Sequence, residues 1–238
     1  MSLSAILTEA FHFFRNHIRQ LAMLMVPLLL VQVGMQLWLG TEFGNMDLEK
    51  PEFTTSHFVV MMALLLIFSF LIAALTLFLD VRSQGHEPTT GQVLRASIGF
   101  VPPLLLAGVF SALAILAPVM LFAAFGPLWL IGLVVSLYIF ARLSYVNFMV
   151  VTERLTPLEA IKASFKMSGP IVLKTLAIIG LYIPLSLVGG SLSQLANNAG
   201  MPVQLLIETV TAFVGLFVNI ALFRLYMVNR TTQNEETT

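Results

Sequence analysis

Long apolar stretches separated by short polar segments dominate the pattern along this chain. Six of them reach the roughly 20 residues that a helix needs to cross a bilayer core about 30 Å thick. Backbone groups in lipid must be hydrogen-bonded internally, so each stretch is predicted to be a helix. The predicted spans lie near 21–40, 58–79, 101–120, 128–150, 171–192 and 203–228.

Glycine and proline punctuate these spans. Only Gly126-Pro127 separates the third and fourth spans, which predicts a tight helical hairpin. Gly189-Gly190 is expected to end or break the fifth span. Small residues spaced four apart allow helices to approach closely, and prolines can kink a span. The small-residue pairs are Gly108 with Ala112 and Gly132 with Ser136, and the prolines are Pro27, Pro118 and Pro184.

Three amphipathic segments precede the first, third and fifth spans. Before the first span, apolar residues such as Ile6 and Ala10 recur at helical spacing, with polar residues on the opposite face. Two further segments open with a Thr followed three residues later by Gln or Glu, which is a capping box. We predict three surface helices on the membrane, each followed by a two-span hairpin. The three units resemble a parallel repeat, although amphipathic helices can also be similar by chance.

The distribution of charge predicts the orientation in the membrane. Cytoplasmic loops carry an excess of Lys and Arg. Six spans place both termini on one side, and only Lys50 falls on the other side, in the acidic loop 41–57. We therefore predict cytoplasmic N and C termini. The other eleven basic residues are Arg15, Arg19, Arg82, Arg95, Arg142, Arg154, Lys162, Lys166, Lys174, Arg224 and Arg230.

Composition excludes several classes of protein. Of the 238 residues, 58% are hydrophobic and 10% are charged, with 12 basic and 12 acidic residues. A soluble domain has about 25% charged residues, so a soluble enzyme, a disordered chain and a basic nucleic-acid binder are all excluded. The chain is thus predicted to be a single all-α membrane domain over 1–230, followed by a disordered polar tail over 231–238.

Ionisable and polar groups inside the spans are the candidates for function. Arg142 and Asn219 are expected at similar depths towards the cytoplasmic face, with Arg224 a little further in. This cluster could bind a phosphate headgroup, because a guanidinium matches the geometry of a phosphate. Arg224 can instead extend to the interface, and Arg142 can instead bond to a neighbouring helix. Glu208 lies near the outer face and is either a proton or solute site or a hydrogen-bonded acid.

Motifs for catalysis are missing from the sequence. There is no phosphate-binding loop, no nucleophile motif and no cysteine, and the four histidines lack the spacing of metal ligands. No catalytic residue, cofactor or metal site is therefore predicted, and an intramembrane enzyme is the least favoured alternative.

Three short motifs resemble the YciC-type inner-membrane proteins of Gram-negative bacteria. The segment 13–16 is similar to their start, and 222–227 is similar to their ending. Their central pattern resembles the stretch from 141–144 through 157–160 to Ser164 and Ser168-Gly169. The architecture also resembles the membrane domain of some glycerophosphodiester phosphodiesterases. The resemblance implies a multi-pass inner-membrane protein and supplies no catalytic residues.

The sequence favours a non-enzymatic role in envelope or membrane-lipid homeostasis. Expected partners are the bilayer, with anionic lipids at its cytoplasmic face, and other membrane proteins, but no nucleic acid. The alternative is a small-solute or lipid transporter, in which Arg142, Asn219 and Glu208 would line the path.

Overall fold

The protein is built from helices. The structure is a computed structural model that describes residues 2–45, 53–196 and 200–236, with side chains as far as Arg230. Within these ranges six helical stretches are long and apolar enough to cross a membrane, which confirms the predicted all-helical class and the number of candidate spans. The α-helices are α1 (Leu3–Gly44), α2 (Thr55–Ser83), α3 (Thr90–Ser97), α4 (Val101–Ala123), α5 (Trp129–Leu143), α6 (Val146–Thr152), α7 (Pro157–Ser168), α8 (Val172–Gly180), α9 (Tyr182–Ala196) and α10 (Met201–Glu236).

The N-terminal segment and the first span form one helix. Helix α1 begins after Ser2, whose hydroxyl accepts a hydrogen bond from the Ala5 backbone N–H at 3.3 Å. No glycine or proline lies between its start and Pro27, so nothing ends a helix there. Ile6 and Ala10 are fully buried in the protein core. The apolar face of this segment therefore packs against other helices.

Both predicted capping boxes are confirmed. Thr89 N–H donates to Gln92 Oε1 at 3.0 Å, and Gln92 N–H donates back to Thr89 Oγ1 at 3.3 Å. The Glu159 carboxylate accepts from the N–H and the hydroxyl of Thr156 at 3.0 and 2.7 Å. Helices α3 and α7 each continue through a short 3₁₀ turn into an apolar helix. The threefold repeat and the amphipathic surface helices stay predictions.

The fifth span is interrupted, but not at its glycine pair. Helix α9 runs through Gly189 and Gly190, and the break lies at Leu181. The expectation of a break at the glycine pair was wrong. Pro184 explains the true position, because proline has no N–H to bond the carbonyl four residues earlier. That carbonyl belongs to Gly180, the last residue of α8.

Helices α4 and α5 form the predicted tight hairpin. Gly126 turns the chain with a φ of +64°, a conformation that favours glycine. A Cβ at Gly132 would lie 2.7 Å from the Pro118 carbonyl oxygen, so these two backbones touch. At Gly108, by contrast, an added Cβ meets nothing within 4 Å. Only the second of the two small-residue patterns therefore marks a close approach at its glycine.

Helix α10 packs along α1 and contributes the largest part of the core. Tyr226 of α10 and Tyr145, between α5 and α6, are both fully buried and stack with ring centroids 6.4 Å apart. The Tyr226 hydroxyl donates to Glu153 and lies 2.8 Å from Thr152 Oγ1. This end of the bundle is thus tied together by buried aromatic and polar contacts.

Parts of the predicted acidic loop and polar tail lie outside the described residues. The structure does not describe 46–52 of the loop, 197–199 between α9 and α10, 237–238 of the tail, or the side chains beyond Arg230. The disorder predicted for that tail stays a prediction.

Candidate functional site

The structure gives each of the four predicted residues its own partners. Among the described residues, no hydrogen bond or ion pair joins any two of Arg142, Asn219, Arg224 and Glu208. They do not form a single polar cluster by direct contact. Two of them, Arg224 and Glu208, each line a separate cleft.

Arg142 is bound to a neighbouring helix. Its guanidinium donates to the Phe165 carbonyl oxygen and to the Tyr138 hydroxyl, the latter at 2.9 Å. It also lies over both aromatic rings, 5.2 and 5.6 Å from their centroids, a favourable cation–π geometry. The Arg142 carbonyl accepts from the hydroxyls of Ser164 and Ser168 at 2.6 and 3.1 Å. Arg142 thus joins α5 to α7, as expected if it bonds to a neighbouring helix and not to a lipid headgroup.

Glu208 and Asn219 bond to helix α9. Ser193 Oγ donates to Glu208 Oε1 at 2.8 Å, and Gln204 Nε2 lies 3.4 Å from the same oxygen. Asn219 Nδ2 donates to the Tyr182 hydroxyl at 2.8 Å. We call the cleft beside Glu208 the carboxylate cleft. It lies between α1, α9 and α10, has a volume of about 380 Å³, and is lined by Val33, Gln36, Gly189, Gly190, Ser193, Glu208, Thr211 and Ala212.

Arg224 lies in a second cleft, formed where α1, α2 and α10 meet. Its volume is about 330 Å³. We call it the arginine cleft. The helical spacing of α1 places Glu9, His12 and Asn16 on the side that faces it, and α2 supplies Arg82 from its last turn. Its full lining is Glu9, His12, Phe13, Asn16, His17, Leu79, Arg82, Ser83, Ile220, Phe223 and Arg224.

Each arginine of this cleft is fixed by one carboxylate. Arg224 Nε donates to Glu9 Oε2 at 2.7 Å, and Arg82 Nη1 donates to Glu87 Oε1 at 2.9 Å. The hydrogen bond and the charge of Arg82 hold the pKa of the Glu87 carboxyl below its ordinary value. Arg82 Nη1 also lies 3.3 Å from the His86 carbonyl oxygen. These bonds hold the guanidinium groups in place at the cleft.

Several N–H groups remain available. A guanidinium has five N–H donors. Among the described residues, both terminal nitrogens of Arg224 and Nη2 of Arg82 have no hydrogen-bond partner. The Nε atom of Arg82 is buried without one, and the Arg82 side chain is only 14% exposed. The terminal nitrogens of Arg224 and Nη2 of Arg82 are therefore the groups that can donate to an anion.

Other ionisable groups are spread through the bundle. His57 Nε2 lies 3.7 Å from Glu42 Oε2, at the end of the bundle away from Arg224. It is packed beside Trp38 and Phe43. In the described part of the chain, no group of three or more His, Asp or Glu side chains is placed to hold a metal ion.

Most of the arginine cleft could not be identified from the sequence. Arg224 was a candidate, whereas Arg82 was only one of the basic residues that predict the orientation; in the structure Asp80 accepts from Gln84 and Arg82 binds Glu87. His12 and Asn16 belong to the polar face of the N-terminal segment, and both line the cleft. Their shared face with Glu9 was the available signal, but the contact with α2 and α10 depends on tertiary packing.

Comparison with known proteins gives no relative for this chain. No family model, curated protein or solved structure matches it. The resemblance to YciC-type proteins therefore stays a prediction, and the function is argued from the clefts themselves.

Proposed function

We propose that this multi-pass membrane protein binds the phosphate of an anionic lipid headgroup in the arginine cleft. The observation that carries the proposal is that Arg82 and Arg224 line one cleft and that each has terminal N–H donors without a partner among the described residues. Guanidinium groups match phosphate oxygens in geometry and charge, and such charge-assisted bonds are about twice as strong as neutral ones. We place the protein in the inner membrane with both termini cytoplasmic, in membrane-lipid or envelope homeostasis and without enzymatic activity.

The apolar side of the cleft supports a lipid over a free anion. Phe13, Leu79 and Phe223 lie beside the charged groups. A lipid headgroup joins a phosphate to a glycerol backbone and acyl chains, so it needs charged and apolar walls side by side. Lys and Arg near the cytoplasmic surface also attract anionic lipids in general. The proposal is more specific, because it assigns the contact to two residues of one cleft.

A YciC-type identity is consistent with this role, and we propose it on the sequence motifs alone. The transporter alternative has less support. The middle of the α1–α10 pair, which separates the two clefts, is buried and apolar, as at Leu24, Met25 and Leu216. A solute path along this helix pair would have to open that packing.

Lipid retention during gentle extraction tests the proposal. The purified protein would be mixed with equal amounts of phosphatidylglycerol and phosphatidylcholine, and the bound lipids counted by native mass spectrometry. We expect the wild type to prefer phosphatidylglycerol, and Arg82→Gln with Arg224→Gln to lower that preference at least tenfold, since one charged hydrogen bond contributes about 1.5–3 kcal/mol.

A matched control separates the cleft from general surface charge. Arg15→Gln with Arg19→Gln removes two exposed arginines of α1 that do not line the cleft. We expect this double variant to keep most of the preference. An equal loss in both double variants would show that surface charge suffices and would overturn the proposal.

A further inference from the structure

We propose that the carboxylate cleft is a second binding site, for a protonated primary amine. Glu208 is its only ionisable lining residue among the described residues, and its polar neighbours in the lining are Gln36, Ser193 and Thr211. The site lies 16 residues from Arg224 on the same helix, or about 24 Å at the α-helical rise. It is therefore separate from the arginine cleft.

The Glu208 carboxylate is held in place through one of its two oxygen atoms. Its Oε1 atom accepts from Ser193 and lies near the Gln204 amide, whose Nε2 is also 3.3 Å from Ser193 Oγ. Its Oε2 atom has no hydrogen-bond partner among the described residues, and this atom is not buried. One oxygen thus fixes the group while the other is available to a ligand.

The charge of Glu208 is not balanced within the protein. No Lys, Arg or His of the described residues forms an ion pair with it. A carboxylate within an apolar span is costly unless it is paired or protonated. A bound cation would remove this cost, so the cleft selects for positive charge.

The other lining groups favour an ammonium over a metal ion. A primary ammonium has three N–H donors and needs acceptors spread around it. The Thr211 hydroxyl donates to the Ile207 carbonyl oxygen at 2.9 Å, which leaves its oxygen free to accept, and Gln36 supplies an amide oxygen. A divalent metal ion prefers several charged oxygen ligands, and here there is one carboxylate.

Two glycines give the cleft its space. A Cβ at Gly189 would lie 2.3 Å from Thr211 Cγ2, so this glycine lets α9 approach α10. At Gly190, which also lines the cleft, an added Cβ meets nothing within 4 Å. Gly189 and Gly190 therefore do not end the helix but shape its surroundings. Gly189 lies at the contact with α10, and Gly190 lies beside open space.

Lipid and amine binding by the purified full chain tests the proposal. Retention of phosphatidylethanolamine against phosphatidylcholine is measured by native mass spectrometry, and free ethanolamine is titrated separately by calorimetry. Phosphatidylcholine is the matched probe, because its quaternary ammonium has no N–H to donate. We expect the wild type to prefer the ethanolamine lipid or to bind free ethanolamine. The first result identifies a lipid headgroup as the ligand and the second a free amine.

Three variants make the test specific. Glu208→Gln keeps the shape and the Ser193 bond but removes the charge, and we expect it to lower binding at least tenfold. Glu42→Gln, the control, changes a carboxylate that pairs with His57 outside the cleft, and we expect no loss. Gly190→Leu adds a large side chain to the lining of the cleft and leaves Glu208 itself unchanged, and leucine favours a helix more than glycine does. We expect this variant to fold and to lose binding.

The proposal is overturned if the wild type shows neither preference for the ethanolamine lipid nor binding of ethanolamine. It is equally overturned if Gly190→Leu binds as the wild type does, or if a folded Glu208→Gln does. Because Gly190→Leu leaves the Glu208 hydrogen bonds in place, the test stays decisive even if Glu208→Gln does not fold.

Discussion

Helix α10 carries two clefts of opposite chemistry. Near its C-terminal part, Arg224 shares a cleft with Arg82 and two histidines. About 24 Å away on the same helix, Glu208 lies in a cleft that has no basic lining residue among those described. Helix α1 contributes to both, since it runs antiparallel to α10 with Glu9 near one cleft and Gln36 near the other. The two ends of this helix pair thus offer different chemistry, with guanidinium groups in one cleft and a carboxylate in the other.

The surroundings of the two clefts differ as well. The arginine end adjoins the buried pair Tyr145 and Tyr226 and the bonds of Glu153. Around the carboxylate cleft, α9 presents many exposed apolar side chains, with Leu187 and Leu195 66% and 76% exposed. The first cleft thus adjoins tightly packed buried side chains, whereas the second lies beside a close helix contact at Gly189. We therefore expect substitutions at the two ends to differ in their effects on binding and on stability.

The largest expected effect concerns which side of the membrane each cleft faces. The chain has no cysteine, so a single introduced thiol can be labelled without background. Ser56→Cys lies at the start of α2, near the carboxylate end, and Ser2→Cys lies before α1. In intact cells we expect a membrane-impermeant maleimide to label only Ser56→Cys, and to label both after lysis. Labelling of Ser2→Cys alone in intact cells would reverse the orientation and place the arginine cleft outside.

A smaller effect, on thermal stability, is expected from substitution of the buried Tyr226 near the arginine cleft. Tyr226→Phe removes the hydroxyl that donates to Glu153, leaving that carboxylate with Arg230, 3.6 Å away. A hydrogen bond to a charged group contributes about 1.5–3 kcal/mol, so we expect a clear decrease in the unfolding temperature in detergent. Ser186→Ala, which removes an exposed hydroxyl of α9, is the control and should change little. Equal effects would contradict the difference between the two ends.

The helix contact at the carboxylate end gives a comparable or smaller effect. Gly189→Ala places a methyl group against Thr211, and overpacking of this kind costs about 1–3 kcal/mol. Gly190→Ala adds the same methyl group to open space in the same helix. We expect thermal unfolding to show destabilisation by the first substitution only. Similar melting temperatures for the two variants would mean that α9 and α10 are not in close contact.

The smallest effect concerns pH at the arginine cleft. Arg82 lowers the pKa of Glu87 in the folded protein below its ordinary value of 4.5. The ion pair therefore adds stability above pH 4.5, and this contribution is lost as the pH falls through the lowered pKa. Because Glu87 is exposed, the effect is small. We expect Glu87→Gln to remove a small part of the acid sensitivity seen by thermal unfolding between pH 7 and 3, and an unchanged pH profile would exclude the contribution.

Much of the architecture could be predicted from the sequence. Apolar length identified the six spans, and the capping residues Thr89 and Thr156 identified the starts of two helices. These signals are local, since each depends on a few neighbouring residues. The break at Leu181 was missed because the glycine pair is the more obvious signal, whereas Pro184 sets the position through a missing N–H.

The clefts could be predicted only in part. Arg224 and Glu208 were recognisable because charges inside spans are rare. Their partners were not, because Glu9 lies 215 residues from Arg224 in the chain and Ser193 lies on another helix. Arg82 looked like an ordinary residue at a helix end. Its place in a cleft follows from how α1, α2 and α10 pack, and hydrophobic patterning does not specify that arrangement.

A double-mutant cycle on the arginine cleft tests the central claim most directly. A short-chain phosphatidylglycerol is titrated into the wild type, Arg82→Gln, Arg224→Gln and the double variant by calorimetry. If both guanidinium groups bind one phosphate, each single substitution weakens binding about tenfold. The loss of binding free energy in the double variant then differs from the sum of the two single losses by about 0.5–3 kcal/mol, the range seen for coupled residues. Equal affinity in all four proteins, or strictly additive losses, would contradict a phosphate shared by Arg82 and Arg224.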